Sequence, residues 1–138
     1  MKTVGFVVVM VAGLAGAGAF AQDQRTSRDR IYSKAQADRG AATWAKRCES
    51  CHDPARVPAG KKAGPVLVGD PFITEWENRP LGELLTVTQL TMPNDGSVTL
   101  SEDETADVIA YVLQANGFPD GPADLKFAAA QDIVIVKK

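Results

Sequence analysis

The chain has one histidine, two cysteines and three methionines among its 138 residues. A structural zinc site needs about four ligands drawn mainly from Cys and His. Here a carboxylate would have to complete any such site, because the thiols and the imidazole number three in all. No basic run is interleaved with aromatics, and the formal net charge is −2. Both features disfavour nucleic-acid binding. No internal repeat is visible. Charge is also missing between Lys2 and Asp23, where an apolar run from Val4 to Phe20 ends in Ala19-Phe20-Ala21.

That run fits a signal peptide, residues 1–21, with a positive start and a small-x-small cleavage site. An uncleaved membrane anchor is the alternative, since a run of this length nearly spans a bilayer. The glycines within it and the cleavage site argue for removal. The chain is then periplasmic, with no membrane span after cleavage, and the mature protein is Gln22–Lys138, 117 residues. That length suits one domain with one core. Charge along it is uneven. Residues 22–62 carry ten Lys/Arg against five Asp/Glu, and residues 63–138 carry four against twelve. Such asymmetry can steer a docking partner or be an ordinary solvated surface.

The two cysteines stand in Cys48-Glu49-Ser50-Cys51-His52. This spacing admits a redox dithiol, a zinc site completed by a carboxylate, or a c-type haem attachment sequence. A dithiol of the first kind normally opens a helix after a strand, and nothing before Cys48 reads as a strand. In the haem reading, cysteines three apart share one side of a helical turn and reach two vinyl groups of a flat porphyrin. His52 then presents an imidazole nitrogen to the iron. A second axial ligand decides between electron transfer and an open iron. After signal removal no other His remains, and the one surviving Met is Met92, in the turn-rich Thr91-Met92-Pro93-Asn94-Asp95-Gly96. Pro93 blocks helix continuation there. A lone Met is otherwise often a core filler.

Along the mature chain, residues 22–30 read as a flexible arm. Ser33-Lys34-Ala35-Gln36 reads as a capping box opening a helix, with Ala37, Gly40, Ala41, Trp44 and Cys48 on one face. Gly40 at mid-helix costs about 1 kcal/mol relative to Ala, which a close helix approach would offset. Residues 53–71 form a Pro/Gly-rich loop. Phe72–Asn78 and Leu81–Leu90 read as helices. Ser101-Glu102-Asp103-Glu104 is a second capping box, opening a helix to about Asn116 that Gly117 and Pro119 stop. In the tail, Ile133-Val134-Ile135-Val136 is a short strand or a strap over the core.

From Tyr32 to about Gly121 the chain resembles a class I cytochrome c of the small, exported bacterial kind. The resemblance rests on Tyr32, Gln36-Ala37, Gly40 and Trp44 ahead of Cys48-Cys51-His52, then Gly64-Pro65, Leu67-x-Gly69, Phe72 and Trp76. It continues through Thr91-Met92-Pro93, Ala110-Tyr111 and Asn116-Gly117. It implies an all-α fold, residues 31–121, in which N- and C-terminal helices cross and shorter helices and loops wrap one covalent haem c. Gly40 and Tyr111 would meet at that crossing, the small residue admitting the ring. The backbone carbonyl of Pro65 would accept the His52 ring N–H, and Trp76 would line the haem near a propionate or serve as plain core. The extension 122–138 resembles those of cytochromes that partner quinoprotein or molybdenum dehydrogenases, and would pack on the domain or trail from it. The implied function is not enzymatic. It is single-electron transfer through a His52/Met92-ligated haem iron, from an exported dehydrogenase to a terminal oxidase or another cytochrome. The alternatives are a stoichiometric subunit of a dehydrogenase complex and an open-iron peroxidase or gas sensor.

Overall fold

A computed structural model describes residues 24–53, 55, 56, 59 and 62–137. The expected signal peptide lies outside the described residues. The fold is all-α apart from one tiny sheet. In chain order it comprises β1 (Arg25–Thr26), α1 (Lys34–Arg47), α2 (Glu49–His52), α3 (Asp70–Trp76), α4 (Leu81–Thr91) and α5 (Glu102–Ala115). A 3-10 turn (Ala128–Asp132) and β2 (Ile133–Val134) complete it. Among the described residues no helix is long and apolar enough to cross a membrane.

Helices α1 and α5 cross at Gly40. A Cβ there would fall 1.8 Å from the Asp107 carbonyl oxygen and 3.0 Å from Tyr111 Cβ. The glycine therefore admits the backbone of α5, which corrects the expectation that it admits the Tyr111 ring. That ring lies instead against Trp44, with centroids 5.6 Å apart. The seam is closed by Tyr32, fully buried, whose hydroxyl donates to the Phe118 carbonyl at 2.5 Å.

The two capping boxes fold differently. At α5 the exchange is complete: Ser101 Oγ accepts from the Glu104 N–H, and the Glu104 carboxylate accepts from the Ser101 N–H. At α1 Ser33 caps the Gln36 N–H, but the Gln36 side chain does not return. Its buried amide pairs both ways with Leu125, donating to the carbonyl at 3.0 Å and accepting from the N–H at 2.7 Å. A polar group this deep must find partners, and the tail supplies them. Helix α5 ends in a Schellman arrangement, with Gly117 at φ 72° and the Phe118 N–H on the Leu113 carbonyl. Helix α3 begins two residues earlier than its apolar residues suggest, because Pro71 in the first turn is pre-organised for helix.

The tail and the arm hold each other. β1 pairs in parallel with β2, Arg25 opposite Ile133 and Thr26 opposite Val134. Ser27 is fully buried; its N–H donates to the Val134 carbonyl, and its hydroxyl accepts from the Val136 N–H. Within the segment 22–30, expected as a flexible arm, Arg25–Ser27 are thus held by backbone bonds to the far end of the chain. The tail also packs on the domain: Ile135 exchanges backbone hydrogen bonds with Asn78 and Arg79, and Leu125, Ala130, Ile133 and Ile135 are core residues.

Candidate functional site

Helix α1 delivers the Cys-containing turn. The Cys48 N–H still bonds to the Trp44 carbonyl as the last link of α1, and the Cys48 carbonyl then accepts from both Cys51 and His52 N–H groups in α2. One carbonyl thus fixes the pitch that puts both thiols and the imidazole on consecutive turns. Cys48 is half-buried, packed against the core, while Cys51 is exposed; neither forms a disulfide.

His52 is held by the loop that follows. Its Nδ1 lies 2.8 Å from the Pro65 carbonyl oxygen. A carbonyl only accepts, so Nδ1 donates to it, and Nε2 is the ring nitrogen not engaged by this contact. The approach requires Gly64, where a Cβ would fall 2.8 Å from His52 Cε1 and 3.0 Å from Nδ1. The Gly64 N–H bonds to the Cys51 carbonyl at 2.9 Å, closing the loop onto the Cys turn. Trp44 packs beside the imidazole, centroids 6.0 Å apart.

A cleft of about 460 Å³ opens beside this turn, lined by Cys48 and His52 on one element and by Leu67, Phe72, Trp76, Met92 and Val112 among others. An adjoining recess of about 390 Å³ shares Cys48, His52, Pro65, Thr88 and Met92 and reaches the exposed Cys51. Both volumes fall in the range of organic-ligand sites, about 300–1,000 Å³. Met92 caps α4, its N–H on the Thr88 carbonyl at 3.0 Å, and turns the thioether-bearing residue into both recesses. The structure therefore gathers Cys48, Cys51, His52, Pro65 and Met92 around one cavity system. Trp76 lines the larger cleft, is buried, and carries Arg79 stacked 4.1 Å from its ring centroid. Arg79 is held in turn by Glu75 and Glu83.

Two residues that entered the sequence reading only as positions of the family pattern do specific work at the site. Gly64 is the close approach just described. Asn116 reaches from the end of α5 to the opposite wall: its Oδ1 accepts from the Gly69 N–H, and its Nδ2 donates to the Leu67 and Val112 carbonyls. The wall-forming loop is thereby tied to α5. An amide following a helix just before glycine is the only signal for it.

The donor set weighs against two of the three readings of the Cys motif. Among the described residues no three of His, Cys, Asp and Glu come together as a metal site, which leaves zinc short of ligands. A reactive dithiol needs a lowered thiol pKa. Burial pushes the Cys48 thiol the other way, to about 11, with the neighbouring Cys51 charge adding to it. The cavity system offers a largely hydrocarbon lining with two thiols, one imidazole and one thioether, a donor set that fits a covalently attached haem.

Residues 35–112, more than half of the chain, match the family described as cytochrome C oxidase, cbb3-type, subunit III. The matched span contains Cys48, Cys51, His52, Pro65, Trp76 and Met92. No curated protein and no solved structure matches the chain.

Proposed function

Because the chain belongs to this family of small c-type cytochromes, whose domain supports haem-based electron transfer, we propose that it carries single electrons on one covalent haem c. Cys48 and Cys51 would hold the haem by thioether bonds, with His52 and Met92 as the axial ligands of its iron. The observation that carries the reading is His52, protonated on Nδ1 by its bond to Pro65, in an apolar cleft shared with Cys48 and Met92. The haem supplies a ferric/ferrous couple, whose potential a neutral thioether ligand and burial raise.

The chain's own residues do the rest. The Pro65 carbonyl fixes the imidazole orientation and tautomer through the ring N–H, an outer contact of known weight in metal sites. Gly64 leaves the room that this contact needs. Phe72, Leu84, Val108, Ile109 and Val112 wall the cleft with hydrocarbon, which would exclude water from a group bound there. Trp76 closes the wall, with Arg79 fixed over its ring. No residue acts as acid, base or nucleophile. Cys51 is exposed, so a group fastened there would not be wholly enclosed.

We place the protein in the periplasm, between an exported dehydrogenase and a terminal oxidase or another cytochrome. The matching family's description names an oxidase subunit, and this favours, as a second reading, a stoichiometric subunit of a redox complex. Native purification distinguishes the two: a free single chain supports the carrier, and recovery only in a fixed-ratio complex supports the subunit. The site itself is tested by Met92→Ala. The variant should keep its haem through denaturation, by mass, yet bind added imidazole or cyanide and show a lowered potential. Unchanged ligand binding and potential would remove Met92 from the iron.

A further inference from the structure

Apolar exposure and negative charge meet on α4. Three large hydrophobic side chains are exposed among the described residues: Val68 at 42%, Val87 at 41% and Leu90 at 74%. Hydrophobic residues scattered singly over a surface need no explanation. Two of these share a side of one helix: Val87 lines the cleft, and Leu90, three residues on, lies next to it on the surface of α4. Leu90 itself lines neither recess, so a group seated in the cleft leaves it uncovered.

Glu83, Val87 and Leu90, spaced by four and three residues, share one face of α4. Glu83 and Glu75 grip the same guanidinium, Arg79, at 2.6 and 2.5 Å, so two carboxylates are offset by one cation. Residues 70–91 hold four carboxylates and no cation besides Arg79. The other mouth of the cleft, beside Cys51, is lined by Arg47 and Lys62 with Asp95. The two mouths therefore differ in charge, Glu75 at one and Arg47 with Lys62 at the other.

We infer that the Val87–Leu90 face of α4, with Glu75 and Glu83 at its end, docks a redox protein that presents cationic side chains around an apolar contact. This rests on the electron-carrier reading. Carboxylates at the rim steer a cationic partner and set its orientation. The apolar residues then exclude water where the two proteins touch, beside the cleft wall.

The test is film voltammetry of the mature, haem-loaded protein on gold coated with mixed amine/methyl or mixed carboxylate/methyl monolayers. At low salt, electron exchange on the amine/methyl surface should be about tenfold faster or more, and the advantage should shrink with added salt. Leu90→Ser and the Glu75→Gln/Glu83→Gln pair should each slow it several-fold. Glu102→Gln, at the start of α5 and away from both recesses, should not. A preference for the carboxylate/methyl surface, or equal rates for parent and both α4 variants, overturns the inference. A solution redox titration of the same samples separates the two levels. A reversible one-electron couple alongside a failed film result removes only the docking face, whereas absence of the couple removes the carrier reading and the docking face together.

Discussion

Gly40→Ala should destabilise the protein even though alanine is the better helix former. In an exposed helix the change would gain about 1 kcal/mol. Here the new methyl would lie 1.8 Å from the Asp107 carbonyl oxygen and 2.5 Å from its carbon, against 3.4 Å for the onset of ordinary contact. Both obstructing atoms are backbone in the middle of α5, so neither can swing away as a flexible side-chain tip would. The helices must part by more than an ångström, which loosens Ala37, Trp44, Ile109 and Ala110, all buried in the same core. Overpacking of this kind costs about 1–3 kcal/mol, and the lost dispersion contacts add to it. With the propensity gain subtracted, the net loss should be about 1–2 kcal/mol, or a fall of roughly 4–10 °C in melting temperature for a domain of this size. Thermal unfolding of the haem-loaded protein, followed by far-ultraviolet circular dichroism, measures it. A variant melting at or above the parent would mean that propensity wins, and that the helices do not cross at Gly40 as described.

Three further outcomes follow from single contacts. Burial pushes the Tyr32 phenol up to about 12, with the Asp120 charge adding to it. Between pH 10 and 12 the folded chain keeps a proton that the unfolded chain has lost, so stability whole below pH 10 drains as pH rises, by about 2–3 kcal/mol. Tyr32→Phe should be less stable at neutral pH yet flatter across that window in denaturant titrations; parallel curves would refute the assignment. Gly64→Ala should tilt His52 off the Pro65 carbonyl and shift both the visible spectrum and the potential, and identical values would show that the contact does not tune the site. Asn116→Ala leaves the Leu67 carbonyl and Gly69 N–H without their partner, at about 1–3 kcal/mol for such groups when buried. Faster amide hydrogen exchange confined to the loop and the end of α5 should report it.

The parts of this molecule that local chemistry decides could be read from the chain, and the parts that distant segments decide could not. The two capping boxes make the contrast. Ser101 and Glu104 need only each other, and the box is complete. Ser33 and Gln36 present a similar pattern, but Gln36 is taken by Leu125, 89 residues away. The pairing of Arg25–Thr26 with Ile133–Val134 spans more than a hundred residues, and no local pattern in the arm announces it. At the site, the Cys48–His52 spacing and Met92, the one methionine expected to survive signal removal, point to the proposed chemistry because those residue types are scarce. Gly40 shows a middle case: its helical cost called for a close approach, but the approaching atoms are the Asp107 carbonyl and not an aromatic ring. Gly64 and Asn116 were visible as positions of the family pattern, but their roles were not, because those lie in backbone geometry across the loop.

The central claim is that His52 and Met92 close the two axial positions of one covalent haem. The visible absorption spectrum of the purified ferric protein at neutral pH tests it most directly. The account predicts low-spin iron with a sulfur-to-iron charge-transfer band that disappears in Met92→Ala. High-spin ferric iron lacking that band in the parent protein would contradict it.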